Sequence, residues 1–213
     1  MLVPALVTTT ATLGLVAAEV RRSRAGVWLC KPIAAAGFVA AALAGGATAS
    51  PYGVWILAGL VLSFAGDVLL IPRGAQGFFL AGLGSFLLGH VAYTIAFAVR
   101  GLAPVRVAIA AVPVAAAGLF ALRYLWPHVQ RNAPKLQAPV LAYMAVISSM
   151  VVTAVGTFGH AADWRIPLGA VAFYLSDLAV ARQRFVADRL SNKIWGLPLY
   201  FGAQLLLAWS VAR

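Results

Sequence analysis

The chain has 213 residues, of which 63% are apolar and only 10% are charged, and its formal net charge is +11. Soluble domains are typically about 45–50% apolar and about 25% charged, so this composition excludes a soluble globular domain. The mean hydropathy of +0.94 predicts that lipid surrounds most of the chain. A transmembrane helix needs about 20 residues. The length therefore predicts one polytopic membrane domain over residues 1–213, an all-α integral membrane protein with a single bundle of about eight transmembrane helices.

The predicted spans are apolar runs that are separated by charged residues, glycine or proline. They cover approximately residues 2–20, 27–44, 52–71, 78–99, 104–124, 136–158, 165–181 and 195–212. The first run has no basic region before it, so it is interpreted as a span rather than as a cleaved signal.

Basic residues predict the orientation of these spans. Twelve of the 16 lysines and arginines fall on one side, at Arg21, Arg22, Arg24, Lys31, Arg73, Arg123, Arg131, Lys135, Arg182, Arg184, Arg189 and Lys193. The opposite side has only Arg100, Arg106, Arg165 and Arg213. The positive-inside rule makes the first side cytoplasmic and places both termini outside. Because the positive charges are spread over several loops, we expect membrane lipids as partners and no nucleic acid.

Two of the five acidic residues, Asp67 and Asp177, fall inside predicted spans. Each lies four or five residues from the cytoplasmic end, which is about 6–8 Å deep at 1.5 Å per residue. A carboxylate at this depth costs a few kcal/mol unless it is paired, protonated or hydrated. A salt bridge to a neighbouring helix is one explanation. The other is a catalytic pair, because burial and mutual repulsion favour one protonated carboxyl as acid and one carboxylate as base.

The remaining acids are expected near the membrane surface or in solvent. Glu19 ends the first span beside basic residues and is expected to pair at the interface. Asp163, in an outer loop beside Arg165, and Asp188, in an inner loop, are expected to be solvated.

The remaining polar residues in or beside the predicted spans are candidates for binding or positioning a substrate. They are Lys31, His90, Tyr93, Tyr143, Ser176, Lys193, Tyr200 and Gln204. His90 shares a helical face with Tyr93, and Tyr200 shares one with Gln204. For His90 the alternative is an ordinary buried hydrogen bond. For Lys31 it is a side chain that extends to the headgroups.

The candidate metal ligands do not form a convincing site. His90 is predicted mid-membrane, His128 in an inner loop and His160 at the outer edge, whereas zinc normally takes three or four ligands. At most His90 and the two aspartates could meet. The single cysteine, Cys30, excludes a disulfide framework within the chain. We expect no metal and no cofactor. A serine hydrolase or an NTPase has no support, because the chain lacks Gly-x-Ser-x-Gly and P-loop motifs.

The sequence resembles the YhhN-type lysoplasmalogenase family over nearly its whole length. The fragments that carry the resemblance are Lys31-Pro32, Gly66-Asp67-Val-Leu-Leu, Phe86-Leu-Leu-Gly-His90-Val-Ala-Tyr93, Tyr143-Met144, Phe173-Tyr-Leu-Ser176-Asp177-Leu-Ala-Val-Ala and Tyr200-Phe-Gly-Ala-Gln204. Each fragment is short, and their order and spacing across the spans carry the specificity.

The resemblance implies an eight-span hydrolase that cleaves the vinyl-ether bond of lysoplasmalogens, a class of single-chain ether phospholipids. The products are a fatty aldehyde and a glycerophospho-alcohol. The two essential aspartates of the family correspond to Asp67 and Asp177. The substrate phosphate is expected near Lys31, Lys193 or a loop arginine. The composition is typical of a GC-rich bacterial genome, so the expected location is a bacterial inner membrane, with the site toward the cytoplasmic leaflet.

Two other function classes remain open from the sequence. Buried acids also relay protons in transporters, so a proton-coupled carrier of a small amphiphile is the alternative function. A structural scaffold would use both aspartates for stability alone.

Overall fold

The fold is taken from a computed structural model, in which residues 1–72, 76–159 and 163–212 are described. These described residues form eight α-helices and contain no β-strand. The helices are α1 (Leu2–Val20), α2 (Arg24–Ala44), α3 (Pro51–Leu69), α4 (Gln76–Arg100), α5 (Pro104–Asn132), α6 (Gln137–Gly156), α7 (Arg165–Ala181) and α8 (Leu190–Trp209). Arg73, His160 and Arg213, which the sequence interpretation used, lie outside the described residues.

Within the described ranges, the six helices α1 to α6 are long and apolar enough to cross a membrane. Helix α7 has only 17 residues, and α8 contains three strongly polar residues, Asn192, Lys193 and Gln204. Both nevertheless belong to the bundle, because they pack on each other and α8 also contacts α1 and α2. The prediction of an all-α, multi-pass membrane protein is confirmed. Membrane crossing by α7 and α8 stays a prediction.

Several helix ends extend beyond the predicted spans. Helix α2 begins at Arg24 rather than at 27, α5 continues to Asn132 rather than to 124, and α8 begins at Leu190 rather than at 195. The spans were predicted to end at charged residues, but the hydrogen bonds of a helix do not depend on lipid and continue into the headgroup region. Lys31 therefore lies inside α2, and not at its start.

The helices that carry the two aspartates pack closely on their neighbours. A side chain at Gly66 would approach the Phe86 ring to 2.7 Å, so glycine is what lets α3 and α4 meet beside Asp67. Similarly, a side chain at Gly196 of α8 would meet Ala179 of α7 at 2.7 Å. Small residues at such contacts are typical of membrane helix bundles.

A cluster of charged residues joins helix ends at the side of the bundle opposite to the two aspartates. The prediction that Asp163 is solvated is wrong, since its side chain is only 8% exposed. Asp163 accepts from Arg165 at 2.7 Å and lies 3.8 Å from Arg100, which in turn stacks on the Tyr52 ring at 4.6 Å. The carboxylate lies between the end of α4 and the start of α7, so both arginines approach it and shield it from solvent.

We expect Asp163→Asn to destabilise this end of the bundle. The substitution removes the charge that two arginines share, and hydrogen bonds to charged groups contribute about 1.5–3 kcal/mol each. The midpoint of thermal unfolding in detergent should fall by several degrees, whereas Asp188→Asn, at an exposed residue of the opposite side, should leave it unchanged. Equal midpoints for both variants would contradict this role of Asp163.

Candidate functional site

A cavity of about 650 Å³ lies between the helix ends that carry the two aspartates. Both predicted catalytic residues, Asp67 at the end of α3 and Asp177 near the end of α7, line it. Lys31, Tyr143, Ser176, Lys193 and Tyr200 line it as well. Its volume is in the range of pockets that bind small molecules, about 300–1,000 Å³.

Asp67 is ion-paired and almost fully buried. Its Oδ1 lies 3.1 Å from Lys31 Nζ, which also donates to the Asp67 carbonyl at 3.1 Å. The Tyr200 hydroxyl donates to its Oδ2 at 2.6 Å. The Lys31 side chain is 13% exposed and ends at this carboxylate, so the alternative that it extends to the headgroups is wrong. Asp67 therefore has a salt bridge to a neighbouring helix, as one of the two explanations of its burial expected.

Asp177 has neutral hydrogen-bonding neighbours instead of a lysine or arginine. The Tyr143 hydroxyl donates to its Oδ2 at 2.6 Å, and His90 Nε2 lies 3.5 Å from the same oxygen. No lysine or arginine among the described residues lies within ion-pair distance of it. Its side chain is 17% exposed, compared with 2% for Asp67. Asp177 is therefore the more accessible of the two carboxyl groups.

The His90 ring is oriented by the main chain. Its Nδ1 is 2.6 Å from the Phe86 carbonyl. Because a carbonyl can only accept, Nδ1 carries a hydrogen, and the Nε2 of the neutral ring is an acceptor. Nε2 has no hydrogen-bond partner among the described residues and lies near a carboxyl oxygen. While the ring is neutral, two acceptors that face each other in this way are compatible when Asp177 carries a proton.

Three of the predicted positioning residues are not among the described residues that line the cavity. They are His90, Tyr93 and Gln204, all of them buried. The Tyr93 hydroxyl donates to Gln204 Oε1 at 2.7 Å, so this pair joins α4 to α8 inside the bundle. His90 contacts lining residues of the cavity: its Nε2 lies 3.5 Å from Asp177, and its ring packs edge-on against Tyr143 at 5.3 Å between centroids. Of the remaining two, Ser176 Oγ donates to the Phe173 carbonyl within α7, and Lys193 Nζ of α8 lies 2.8 Å from Glu19 Oε2 of α1.

The lining of the cavity contains both apolar and polar side chains. The apolar residues include Phe79, Leu83, Ala121, Leu125, Val140, Met144, Ile147 and Leu178 from α4 to α7, and Leu15 and Val27 from α1 and α2. The polar rim consists of Glu19, Gln183, Arg184, Asp188, Asn192 and Lys193. The sequence interpretation missed most of this rim, since loop residues near a membrane give no signal of which cavity they face.

Among the described residues, no group of three or more histidine, cysteine and acidic side chains is arranged to hold a metal ion. His90 and Asp177 are neighbours, but Asp67 is engaged by Lys31 and Tyr200. A pair of carboxyl groups with tyrosine and histidine partners is suited to proton transfer.

Comparison with known proteins identifies the family. The model of the YhhN family matches residues 26–211. The chain belongs to the YhhN family.

The similar curated proteins carry the name lysoplasmalogenase. The Mycobacterium bovis lysoplasmalogenase is 35% identical over 185 residues, which cover 79% of this chain and 66% of that protein. The Homo sapiens lysoplasmalogenase TMEM86A is 33% identical over 172 residues, which cover 78% and 68%. This YhhN-family chain therefore spans just under two thirds of the length of its mycobacterial relative. No solved structure matches the chain.

The ion pair between Lys31 and Asp67 predicts how the stabilities of its single and double variants compare. Removing one member of a buried pair leaves an uncompensated charge and costs roughly 3–5 kcal/mol. Lys31→Met should therefore lower the thermal midpoint in detergent strongly. The double variant Lys31→Met/Asp67→Asn should recover most of the loss, because neither charge remains. A double variant as unstable as the sum of the two single variants would contradict a direct pair.

Proposed function

We propose that this YhhN-family chain is a membrane-embedded lysoplasmalogenase. The substrate is a lysoplasmalogen, a 1-alkenyl-glycerophosphoethanolamine or glycerophosphocholine, and the products are a fatty aldehyde and the glycerophospho-alcohol. The observation that carries the proposal is the pair Asp67 and Asp177, which face one cavity with a cation beside only the first. The names of the relatives supply the reaction.

The shape and polarity of the cavity suit a single-chain lipid. The apolar wall, for example Leu125 and Ile147, would surround the alkenyl chain, and the polar rim would face the headgroup. Both aspartates line the same cavity as these groups, so a lipid bound there would present its ether oxygen to them. We place the site in the cytoplasmic leaflet of a bacterial inner membrane, in accordance with the positive-inside orientation.

Asp177 is the general acid in this proposal. Cleavage of an enol ether begins with protonation of the β-carbon, which converts the ether into an oxocarbenium ion. The donor must hold a proton, and Asp177 lies next to Tyr143 and His90 rather than to a lysine or arginine. Lys31 stabilises Asp67 as the carboxylate, whose negative charge stabilises the developing cation.

The second half of the reaction returns both aspartates to their starting states. Water adds to the oxocarbenium carbon and gives one proton to Asp67. The resulting hemiacetal collapses: its hydroxyl proton goes to Asp177, and the departing glycerol oxygen takes the proton from Asp67. One water is consumed and one C–O bond is broken, in an acid–base cycle similar to that of paired carboxylates in glycosidases. The cycle uses no metal or cofactor.

The remaining candidates position these groups. Tyr143 and Tyr200 each hold one carboxyl group by a hydrogen bond, and His90 lies 3.5 Å from the Asp177 oxygen that Tyr143 binds. The hydrogen bond between Tyr93 and Gln204 joins α4 to α8 inside the bundle.

Loss of either carboxyl group should abolish turnover. With lysoplasmenyl-ethanolamine in detergent, wild type should release aldehyde, and folded Asp67→Asn and Asp177→Asn should be at least about 100-fold slower, since acid–base catalysis contributes roughly 10²–10⁴-fold. Asp163→Asn, assayed at a temperature at which it stays folded, is the matched control and should remain active.

Three results would count against this mechanism. Wild type that releases no aldehyde from any vinyl-ether lipid would contradict the function and favour the carrier alternative. Full activity in either aspartate variant would contradict the pair. Loss of activity in a chelator, with recovery on adding zinc, would require a metal.

A further inference from the structure

The described lining of the cavity contains three cationic side chains, and their charges are not equally available. Lys31 is paired with Asp67 at 3.1 Å, and Lys193 is paired with Glu19 at 2.8 Å. Arg184 has no ion-pair partner among the described residues, which include all five acidic residues of the chain. An unneutralised arginine in the wall of a cavity is available to bind an anion.

The Arg184 side chain is oriented toward the cavity by an aromatic ring. Its guanidinium carbon lies 4.5 Å from the centroid of Phe79, which lines the same cavity. Stacking on a ring holds the guanidinium plane and leaves its N–H groups free at the edge. Those N–H groups match the spacing of two phosphate oxygens and can bind them together.

The backbone that carries Arg184 is fixed to the bundle. Residues Arg182–Val186 form one turn of π-helix between α7 and α8, a conformation that is often found at functional sites. Phe185 is buried, and its carbonyl accepts from Asn132 Nδ2 at 2.8 Å. The turn is thus joined to the end of α5, and Arg184 is held at the rim while its side chain remains exposed.

We infer that Arg184 is the phosphate-binding residue for the substrate, an inference that rests on the proposed function. The ligand is a phosphate diester between glycerol and a small alcohol, as in a lysophospholipid. The two lysines that the sequence offered for this role are engaged by carboxylates, so the only unneutralised cation among the described residues of the rim is this arginine. Arg184 and Asp177 line the same cavity, so a lipid whose phosphate is bound by Arg184 can bring its vinyl ether to Asp177.

The test compares Arg184→Gln with Arg189→Gln, a variant of an exposed arginine in the same connection that does not line the cavity. For lysoplasmenyl-ethanolamine, Arg184→Gln should raise KM about tenfold, equivalent to about 1.4 kcal/mol, and leave kcat within about twofold. Arg184→Lys should recover part of the loss, and Arg189→Gln should match wild type. For 1-alkenylglycerol, which lacks the phosphate, all variants should match wild type.

A second measurement makes the inference independent of catalysis. Binding of a saturated ether lysophospholipid, which cannot be hydrolysed, should weaken about tenfold in Arg184→Gln and not in Arg189→Gln. If this pattern appears while wild type releases no aldehyde, the phosphate site stands and the proposed function fails. Equal affinities in all variants would overturn the phosphate site. Competition by millimolar inorganic phosphate as strong as that of the lipid would also overturn it, because the ligand would then be free phosphate.

Discussion

The ion pair between Lys31 and Asp67 is the interaction on which the rest of the site depends. Two opposite charges are held inside the bundle at 3.1 Å, where either charge alone would be costly. The pair joins α2 to α3, and the Tyr200 hydrogen bond joins α8 to the same carboxylate. It also makes the two aspartates unequal, because it supplies a cation to one carboxyl group and leaves the other with neutral partners. Because of this difference, the proposed mechanism assigns the acid to Asp177 and the base to Asp67.

The two aspartates are also connected across the halves of the chain. His90 follows Asp67 in the first half, and Tyr200 follows Asp177 in the second, each by the same spacing of 23 residues. In the structure the partners are exchanged: Tyr200 binds Asp67, and His90 lies next to Asp177. Each carboxyl group thus has a contact partner from the other half of the chain. The site therefore forms only when α3 and α4 have docked against α7 and α8.

The sequence was sufficient to predict the helices and to single out both aspartates, because burying charge in lipid is costly wherever the chain folds. It could not assign their partners. Lys31 and Tyr200 lie 36 and 133 residues away from Asp67. Helical periodicity indicates which residues share a face of one helix, and it does not indicate contacts between distant helices. The error at Asp163 has the same origin, since Arg100 lies at the end of α4, far from Asp163 in the sequence, and approaches it only in the folded bundle. From the sequence, Arg184 could not be distinguished from the other loop arginines. The structure distinguishes it, because it lines the cavity and both lysines of the lining are paired with carboxylates.

In the proposed mechanism Asp177 protonates the β-carbon of the vinyl ether. The position of the new hydrogen in the aldehyde tests this step most directly. Turnover in D₂O, with the aldehyde reduced at once to the alcohol, should place one deuterium on carbon 2 of the wild-type product. Asp177→Asn should form this product at least about 100-fold more slowly. An aldehyde without deuterium at carbon 2, or deuterated product formed by Asp177→Asn at the wild-type rate, would contradict the account.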